Sequence, residues 1–390
     1  MGDETQAVLG YLRERRQDMV ALLRRLALAE SPSDKPAAVA PLLDLLSAEL
    51  EKVGLAVRRY SGRVSGGYLL ARPRQRGGKA RQLLVGHCDT VWPVGTLARM
   101  PVRIEDDTLF GPGVMDMKGG LTQLLFALKA VRDLKLRPAA DNVVVINSDE
   151  EIGSLDSRAL IRRLARCAVR AFILEPAFGR AGKLKTARKA AGGFTITVKG
   201  RAAHAGVNPE EGVSAILEMS YQIQKLFALN DAARGVTVNV GTIDGGLRSN
   251  VVAAEVRASV DVRVPTRQDA ERVEAAIRGL RPVNPATALE IEGGIEQAPL
   301  EPTARNQALW RQARDLGRRL GLELEQASVG GASDGNTTSQ YTATLDGLGA
   351  VGDGAHAPHE QVMIPKMIER SALLVLLLLA PLASPTRAED

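Results

Sequence analysis

Three apolar runs in this chain each stop at residues that bind metals. Leu83-Leu84-Val85-Gly86 runs into His87-Cys88-Asp89, Val143-Val144-Val145-Ile146-Asn147 into Ser148-Asp149-Glu150-Glu151, and Phe172-Ile173-Leu174 into Glu175. Between the first two, the glycine-rich stretch Gly111 to Gly120 carries Asp116. Carboxylates crowded into one cleft cannot all stay ionised unless a cation compensates them. A histidine with several carboxylates suits zinc or a similar divalent ion. His87, Asp89, Asp116, Glu150, Glu151 and Glu175 are too many for one tetrahedral ion. They suit two ions that share a bridging carboxylate. A second histidine is then needed, and His204, His356 and His359 are the candidates outside this region.

The elements that would bring these residues together are legible in the spacing. Open α/β sheets bind ligands at the carboxyl ends of their strands. Buried strands are expected at Leu83 to Gly86, Val143 to Asn147 and Val169 to Leu174, with helices at Leu121 to Val131 and Arg158 to Ala165 between them. Helical periods also mark residues 4–29 and Ala37 to Val53, and strands Leu55 to Tyr60 and Gly67 to Arg72 follow. Strands alternating with helices imply an α/β fold, a mainly parallel sheet with helices on both faces. From Phe194 the pattern changes to half-exposed alternation. Strand Phe194 to Lys199, helix Gly212 to Leu229, strands Val236 to Ile243 and Val252 to Val262, helix Gln268 to Leu280 and strand Ala288 to Ile291 read as β-α-β-β-α-β, the order of an inserted ferredoxin-like α+β domain. The domains are therefore expected at 1–187, 188–300 and 301–390, the third completing the first. A helix at Arg305 to Leu320, a strand at Leu322 to Gln326 and a closing helix that starts near Pro365 are expected in that last part.

Composition narrows the function. The 390 residues are 45% hydrophobic and 25% charged, as in a globular protein. Aromatics make up only 3%, which argues against stacking platforms for sugars or single-stranded nucleic acid. The net charge is +6 without a run of five basic residues, so no nucleic-acid partner is expected. Two cysteines, Cys88 and Cys167, suit a reducing compartment. The first residues lack the apolar core of a leader peptide, and the run Ala372 to Leu382 is short of the roughly 20 residues of a membrane span. A cytoplasmic protein with no membrane partner is the expectation.

The ordered motifs resemble those of the M20 family of zinc metallopeptidases, in particular its glutamate carboxypeptidase branch. They are Gly86-His87-Cys88-Asp89-Thr90-Val91, Gly113-Val114-Met115-Asp116-Met117-Lys118-Gly119-Gly120, Ser148-Asp149-Glu150-Glu151-Ile152-Gly153-Ser154, Glu175-Pro176, Ala203-His204-Ala205-Gly206, Asp261-Val262-Arg263, and His356 followed by Glu360. The resemblance implies a zinc-peptidase catalytic domain and a lid domain through which two copies form a homodimer. It implies two Zn2+ per subunit, with Co2+ or Mn2+ as substitutes. Asp116 would bridge them, His87 and Glu175 would complete one site, and Glu151 and His356 the other; His359 competes for the last position. Asp89 would orient His87, and the bond Asp116-Met117 would be cis. Glu150 would be the general base. His204 would reach a partner subunit's cleft and stabilise the oxyanion, and Asn250 and Arg263 would bind substrate. The activity implied is release of a C-terminal amino acid, glutamate above all, from an N-acyl or peptidyl substrate. Aminoacylases, acetylornithine deacetylases and desuccinylases share this core. One departure bears on side-chain preference: Ala327-Ser328-Val329 stand before Gly330, where some glutamate-releasing relatives carry a basic residue.

Two rival readings remain. Gly331-Ala332-Ser333-Asp334-Gly335 satisfies the nucleophile-elbow pattern, with Asp346 or Asp353 and then His356 downstream, so a serine hydrolase using Ser333 is conceivable. Against it, no His-Gly-Gly oxyanion stretch precedes it, and the carboxylates would have no purpose. A non-catalytic dimeric binding protein would be expected to lack a ligand or the base, and none is missing here.

Overall fold

The computed structural model describes residues 2–75 and 80–382; the last residues of the closing segment, 383–390, lie outside the described residues. Contacts divide the chain into two compact units. The first comprises residues up to Thr186, Pro302–Ser328 and those from Ser333 onward; the second comprises Ala187–Glu301 with Val329–Ala332.

The first unit is built on a six-stranded sheet. Its strands run Leu55–Tyr60, Tyr68–Pro73, Asp141–Asn147, Arg81–His87, Ala168–Ile173, Ala343–Leu345 across the sheet. The last four are mutually parallel, and Tyr68–Pro73 is antiparallel to both its neighbours. Alternation sorts the side chains to two faces. Leu84, Val144, Ile146 and Phe172 join the core that contains the helices Pro36–Lys52, Gly119–Asp133 and Ile364–Leu379. Leu83, Val85, Val143, Val145, Ala171 and Ile173 face the other core, with Leu160, Ile161 and Ala165 of the helix Arg158–Ala165. Strands buried on both faces read as continuous apolar runs, which is why these three were legible.

The register sets the site. His87 lies opposite Asn147, and Val85 opposite Ile173. Continuing that register brings Glu175 level with His87, while Glu150 and Glu151 begin the turn just beyond Asn147.

Several expected boundaries moved. Residues 4–29 are two helices, Gly2–Glu14 and Arg16–Leu28. The strand expected at Leu322 to Gln326 is instead Gln326–Val329, because Leu324 packs onto the core and against Gly317 from an irregular segment. A small sheet of Arg103–Glu105, Thr108–Phe110, Gly352–Asp353 and Gln361–Met363 was not foreseen. It holds the loop of His356 and Glu360. Among the described residues, no helix is long and apolar enough to cross a membrane.

The second unit is one antiparallel sheet, ordered Thr237–Gly245, Glu255–Val264, Ala190–Lys199, Ala288–Gln297, with the helices Ala215–Phe227 and Arg267–Arg278 joining its core. Connectivity and strand order are those of a ferredoxin-like module. Ser214 and Thr266 cap the two helices, each accepting a backbone N–H from the third residue on.

Candidate metal centre

His87 is buried at the end of its strand. Its Nδ1 lies 3.1 Å from the backbone oxygen of Asp89 and 3.4 Å from Asp89 Oδ1. A carbonyl oxygen can only accept, so Nδ1 carries a proton, which leaves Nε2 as the atom that would ligate a cation. Nε2 faces Asp116 Oδ1 at 3.1 Å and Glu175 Oε1 at 3.4 Å. On the far side of Asp116, Oδ2 lies 3.5 Å from His356 Nε2, which in turn stands 3.2 Å from Glu151. One carboxylate therefore points its two oxygens at two different histidines. The donor atoms of His87, Asp116 and Glu151 lie within 4.8 Å of one another, as do those of His87, Glu150 and Glu175.

The loop carrying Asp116 is shaped for this. Gly113 stands at φ +71°, and the Asp116-Met117 peptide bond is cis, as expected. Gly120 lies in the first turn of the following helix, where a Cβ would come within 2.1 Å of the Leu174 carbonyl oxygen, so only glycine lets the loop close against the Glu175 segment. Glu360, buried, gathers the loop: it accepts N–H groups from Gly113, Met115 and Asp116 at 2.8 to 3.0 Å, and the Trp92 indole N–H at 2.9 Å. The sequence marked Glu360 only by its spacing from His356. Asp89, fully buried, accepts from the Glu150 and Glu151 N–H groups at 3.4 and 3.2 Å and from Ser33 Oγ at 2.7 Å. It thus orients His87 and the Glu150–Glu151 turn together.

The electrostatics call for a cation. Burial, then the charge of Glu175, push the Glu150 carboxyl well above its usual range. Burial also raises Glu151, against the lowering effect of its His356 contact. Burial opposes a charged His87, yet the hydrogen bonds with Asp116, Asp89 and Glu175 outweigh it and raise the ring's pKa. His356 is pushed up to about 9, chiefly by its bond to Glu151. Nitrogen and oxygen donors converge on two adjacent points, each flanked by a histidine and shared through Asp116. That donor set fits two divalent cations, which would displace the protons now favoured on the histidines.

His356, half exposed, stands at this centre; His359 is exposed. His204, Asn250 and Arg263 belong to the second unit. There His204 forms a bridge to Val251, its Nδ1 accepts the Gly206 N–H at 3.1 Å, and the Asn250 carbonyl accepts the Ala205 N–H at 3.0 Å. Arg263 forks onto Asp261, with Nε at 3.0 Å and Nη2 at 2.9 Å.

The serine-hydrolase alternative fails on geometry. Ser333 is fully buried; its Oγ donates to Asp346 Oδ2 at 2.7 Å and accepts the Gly335 N–H at 3.0 Å as the cap of the short helix Asp334–Ser339. His356, its supposed partner, is engaged with Glu151. The same stretch supplies a residue that sequence reasoning missed. Asp334 accepts from Ser154 Oγ and Asn147 Nδ2, each at 2.7 Å, and its carboxyl is pushed up to about 6 by burial.

A doubly covered, mainly parallel sheet thus gathers histidines and carboxylates at its carboxyl edge, the donor set of a metal-binding protein. The sequence model of the peptidase family M20/M25/M40 matches residues 83–380, and the chain belongs to that family. It is 32% identical over 253 residues to carboxypeptidase G2 of Pseudomonas sp. strain RS-16, a match covering 64% of this chain and 61% of that protein's length. It is 26% identical over 373 residues to acetylornithine deacetylase of Myxococcus xanthus, covering 91% of this chain and 95% of that one. The crystal structure of aminopeptidase PepT from Bacillus cereus superposes with a TM-score of 0.77 at 20% identity, over 93% of this chain and 98% of that one.

Proposed function

We propose that this chain is a two-zinc amidohydrolase that releases a C-terminal amino acid, glutamate in the first instance, from N-acyl or peptidyl substrates. The observation that carries the reading is the Asp116 carboxylate, whose oxygens face His87 on one side and His356 on the other. His87, Asp116 and Glu175 would hold one cation, and Asp116, Glu151 and His356 the second; Co2+ or Mn2+ would substitute. When bound, such cations supply Lewis acidity to an amide carbonyl and lower the pKa of water.

The rest is the work of this chain's own groups. Adjacent side chains diverge, so Glu151 can face His356 while Glu150 stays available as a base. Glu150 takes a proton from the attacking water and delivers it to the departing nitrogen. Burial and the neighbouring charge of Glu175 raise its proton affinity for the first step. Asp89 keeps His87 in the Nδ1–H form. His204, placed by the lid of a second copy, would donate to the oxyanion, and Asn250 and Arg263 would hold the substrate. In the second unit, the edge strand Thr237–Gly245 and the exposed Ile216, Leu217, Tyr221 and Ile243 support a homodimer through this domain. Both cysteines are free, in keeping with work in the cytoplasm.

A second reading, an N-acyl-amino-acid deacylase with the same metal chemistry, is favoured by the near full-length match to acetylornithine deacetylase. Amino-acid release from N-acyl-glutamate, N-acyl-aspartate and N-acyl-alanine, each with and without a chelator, decides between them. Chelator-sensitive release of glutamate supports the carboxypeptidase branch. Chelator-sensitive release from the other substrates alone moves the enzyme to the deacylases. Chelator-resistant release removes the metal reading altogether.

A further inference from the structure

The arginine assigned above to the substrate already holds a carboxylate. Asp261 and Arg263 stand two residues apart on the strand Glu255–Val264, so their side chains leave the same face of the sheet. Val260, Val262 and Val264 alternate with them and enter the core shared with the helices Ala215–Phe227 and Arg267–Arg278. The ion pair therefore stands on the other face, away from those helices. Its cross-strand neighbours there are Thr237 and Ala191 beside Arg263, and Asn239 and Gly193 beside Asp261. None of them is charged, and a Cβ added at Gly193 would meet nothing within 4 Å. Asp261 thus supplies the carboxylate of this patch, and room for a second one lies next to it.

The pairing is bidentate: Arg263 Nε donates to Asp261 Oδ1 at 3.0 Å, and Nη2 donates to Oδ2 at 2.9 Å. A substrate carboxylate would meet the same fork in the same way. The carboxylates that fix geometry elsewhere in this chain are built differently. Asp89 and Glu360 are buried, and they accept three and four donors respectively. The Asp261 side chain is 47% exposed and that of Arg263 36%. Among the described residues, the oxygens of Asp261 bond to this arginine alone. An ion pair so open to water is weak, because solvent competes for both partners. It can occupy the fork, yet it yields to a carboxylate held in place by other contacts.

We propose that Asp261 is a specificity-determining residue, an internal carboxylate that occupies the Arg263 fork in the free protein and gives it up to the α-carboxylate of the substrate. A neutral group at that position cannot displace it. This rests on the amidohydrolase reading above, in which Arg263 holds the substrate. The test compares the zinc-loaded wild type, Asp261→Asn, Arg263→Met and the double variant on whichever of N-acetyl-glutamate, N-acetyl-aspartate and N-acetyl-alanine is cleaved best. Inhibition by the released amino acid and by its α-amide is measured alongside. Asp261→Asn is expected to lower KM and the inhibition constant of the amino acid by about two- to fivefold, with the gain in KM rather than in kcat. Inhibition by the α-amide should change less, and in the Arg263→Met background the Asp261 substitution should change nothing. A raised KM in Asp261→Asn would make Asp261 a support for Arg263 and overturn the proposal. An unchanged KM, an equal gain for the α-amide, an equal gain without Arg263, or an Arg263→Met variant that binds as well as the wild type would overturn it too. Each of these leaves the amidohydrolase intact. If the wild type cleaves none of the three substrates, both readings fall.

Discussion

At the scale of single residues, the proposed mechanism divides the chemistry between Asp116 and the pair Glu150–Glu151. Asp116 splits its oxygens between two histidines, and Glu151 faces His356 while Glu150 does not. Yet Glu150 also lies within the donor set of His87 and Glu175, so geometry alone would let it ligate. The two roles separate experimentally. Glu150→Gln removes the proposed base but keeps the shape, and is expected to lower kcat by about 100- to 10,000-fold while two metal ions per chain remain bound. Steady-state kinetics with metal analysis on the same sample checks this; a drop in metal content with the drop in kcat would make Glu150 a ligand. His356→Ala should behave oppositely. It removes one histidine of the pair around Asp116, so the stoichiometry measured by metal analysis after dialysis should fall from two ions to one. An undiminished stoichiometry would return His359 to consideration.

At the scale of elements, the working part is the turn from Ser148 to Ser157, and its stability is bought with buried carboxylates. Asp149 accepts the Asp156 and Ser157 N–H groups at 2.6 and 3.1 Å and the Ser157 hydroxyl at 2.7 Å. Asp334 ties the turn from far along the chain through Ser154 and Asn147. Ser154 sits at φ +55°, a conformation a serine holds only under such constraint. Asp334→Ala strands two buried donors and is expected to cost about 3 kcal/mol of stability. It should also lower kcat more than it raises KM, because Glu150 rides on the turn. Urea unfolding and kinetics test it; a stability loss with unaltered kcat would confine Asp334 to a structural role. Much of this architecture was legible beforehand. Leu83 to Val85, Val143 to Ile146 and Phe172 to Leu174 are apolar on both faces, so each announces a central strand and its last residue announces the sheet edge. Less could be read where pairing, not periodicity, makes the element. Arg103–Glu105 is exposed along its length and is a strand only because Thr108–Phe110 pairs with it. Asp334 was hidden because a Gly-x-Ser-x-Gly stretch suggests a nucleophile, whereas the buried Ser333 closes a helix cap.

At the scale of the whole molecule, the question is whether one chain suffices. The second unit carries His204, Asn250 and Arg263, and it also exposes Leu217 at 54%, Ile243 at 55% and Tyr221 at 37% beside an edge strand that pairs, among the described residues, only with Glu255–Val264. An open edge with apolar neighbours is a template for pairing, and a two-fold contact would place the same surface of each copy against the other. Exchange of a His204 between copies would then make association part of catalysis. Two variants separate the possibilities. Leu217→Glu buries a charge in such a contact and should shift sedimentation from dimer to monomer with loss of activity. His204→Ala and Glu150→Gln chains, each nearly inactive alone, should recover roughly a quarter of wild-type activity when co-refolded in equal amounts. Half of the dimers are then mixed, and each mixed dimer holds one complete site. Recovery is expected because a Glu150 cleft on one chain meets an intact His204 on the other. If mixing restores nothing while the mixed dimer is shown to form, His204 serves its own chain, and the dimer is an arrangement for stability alone.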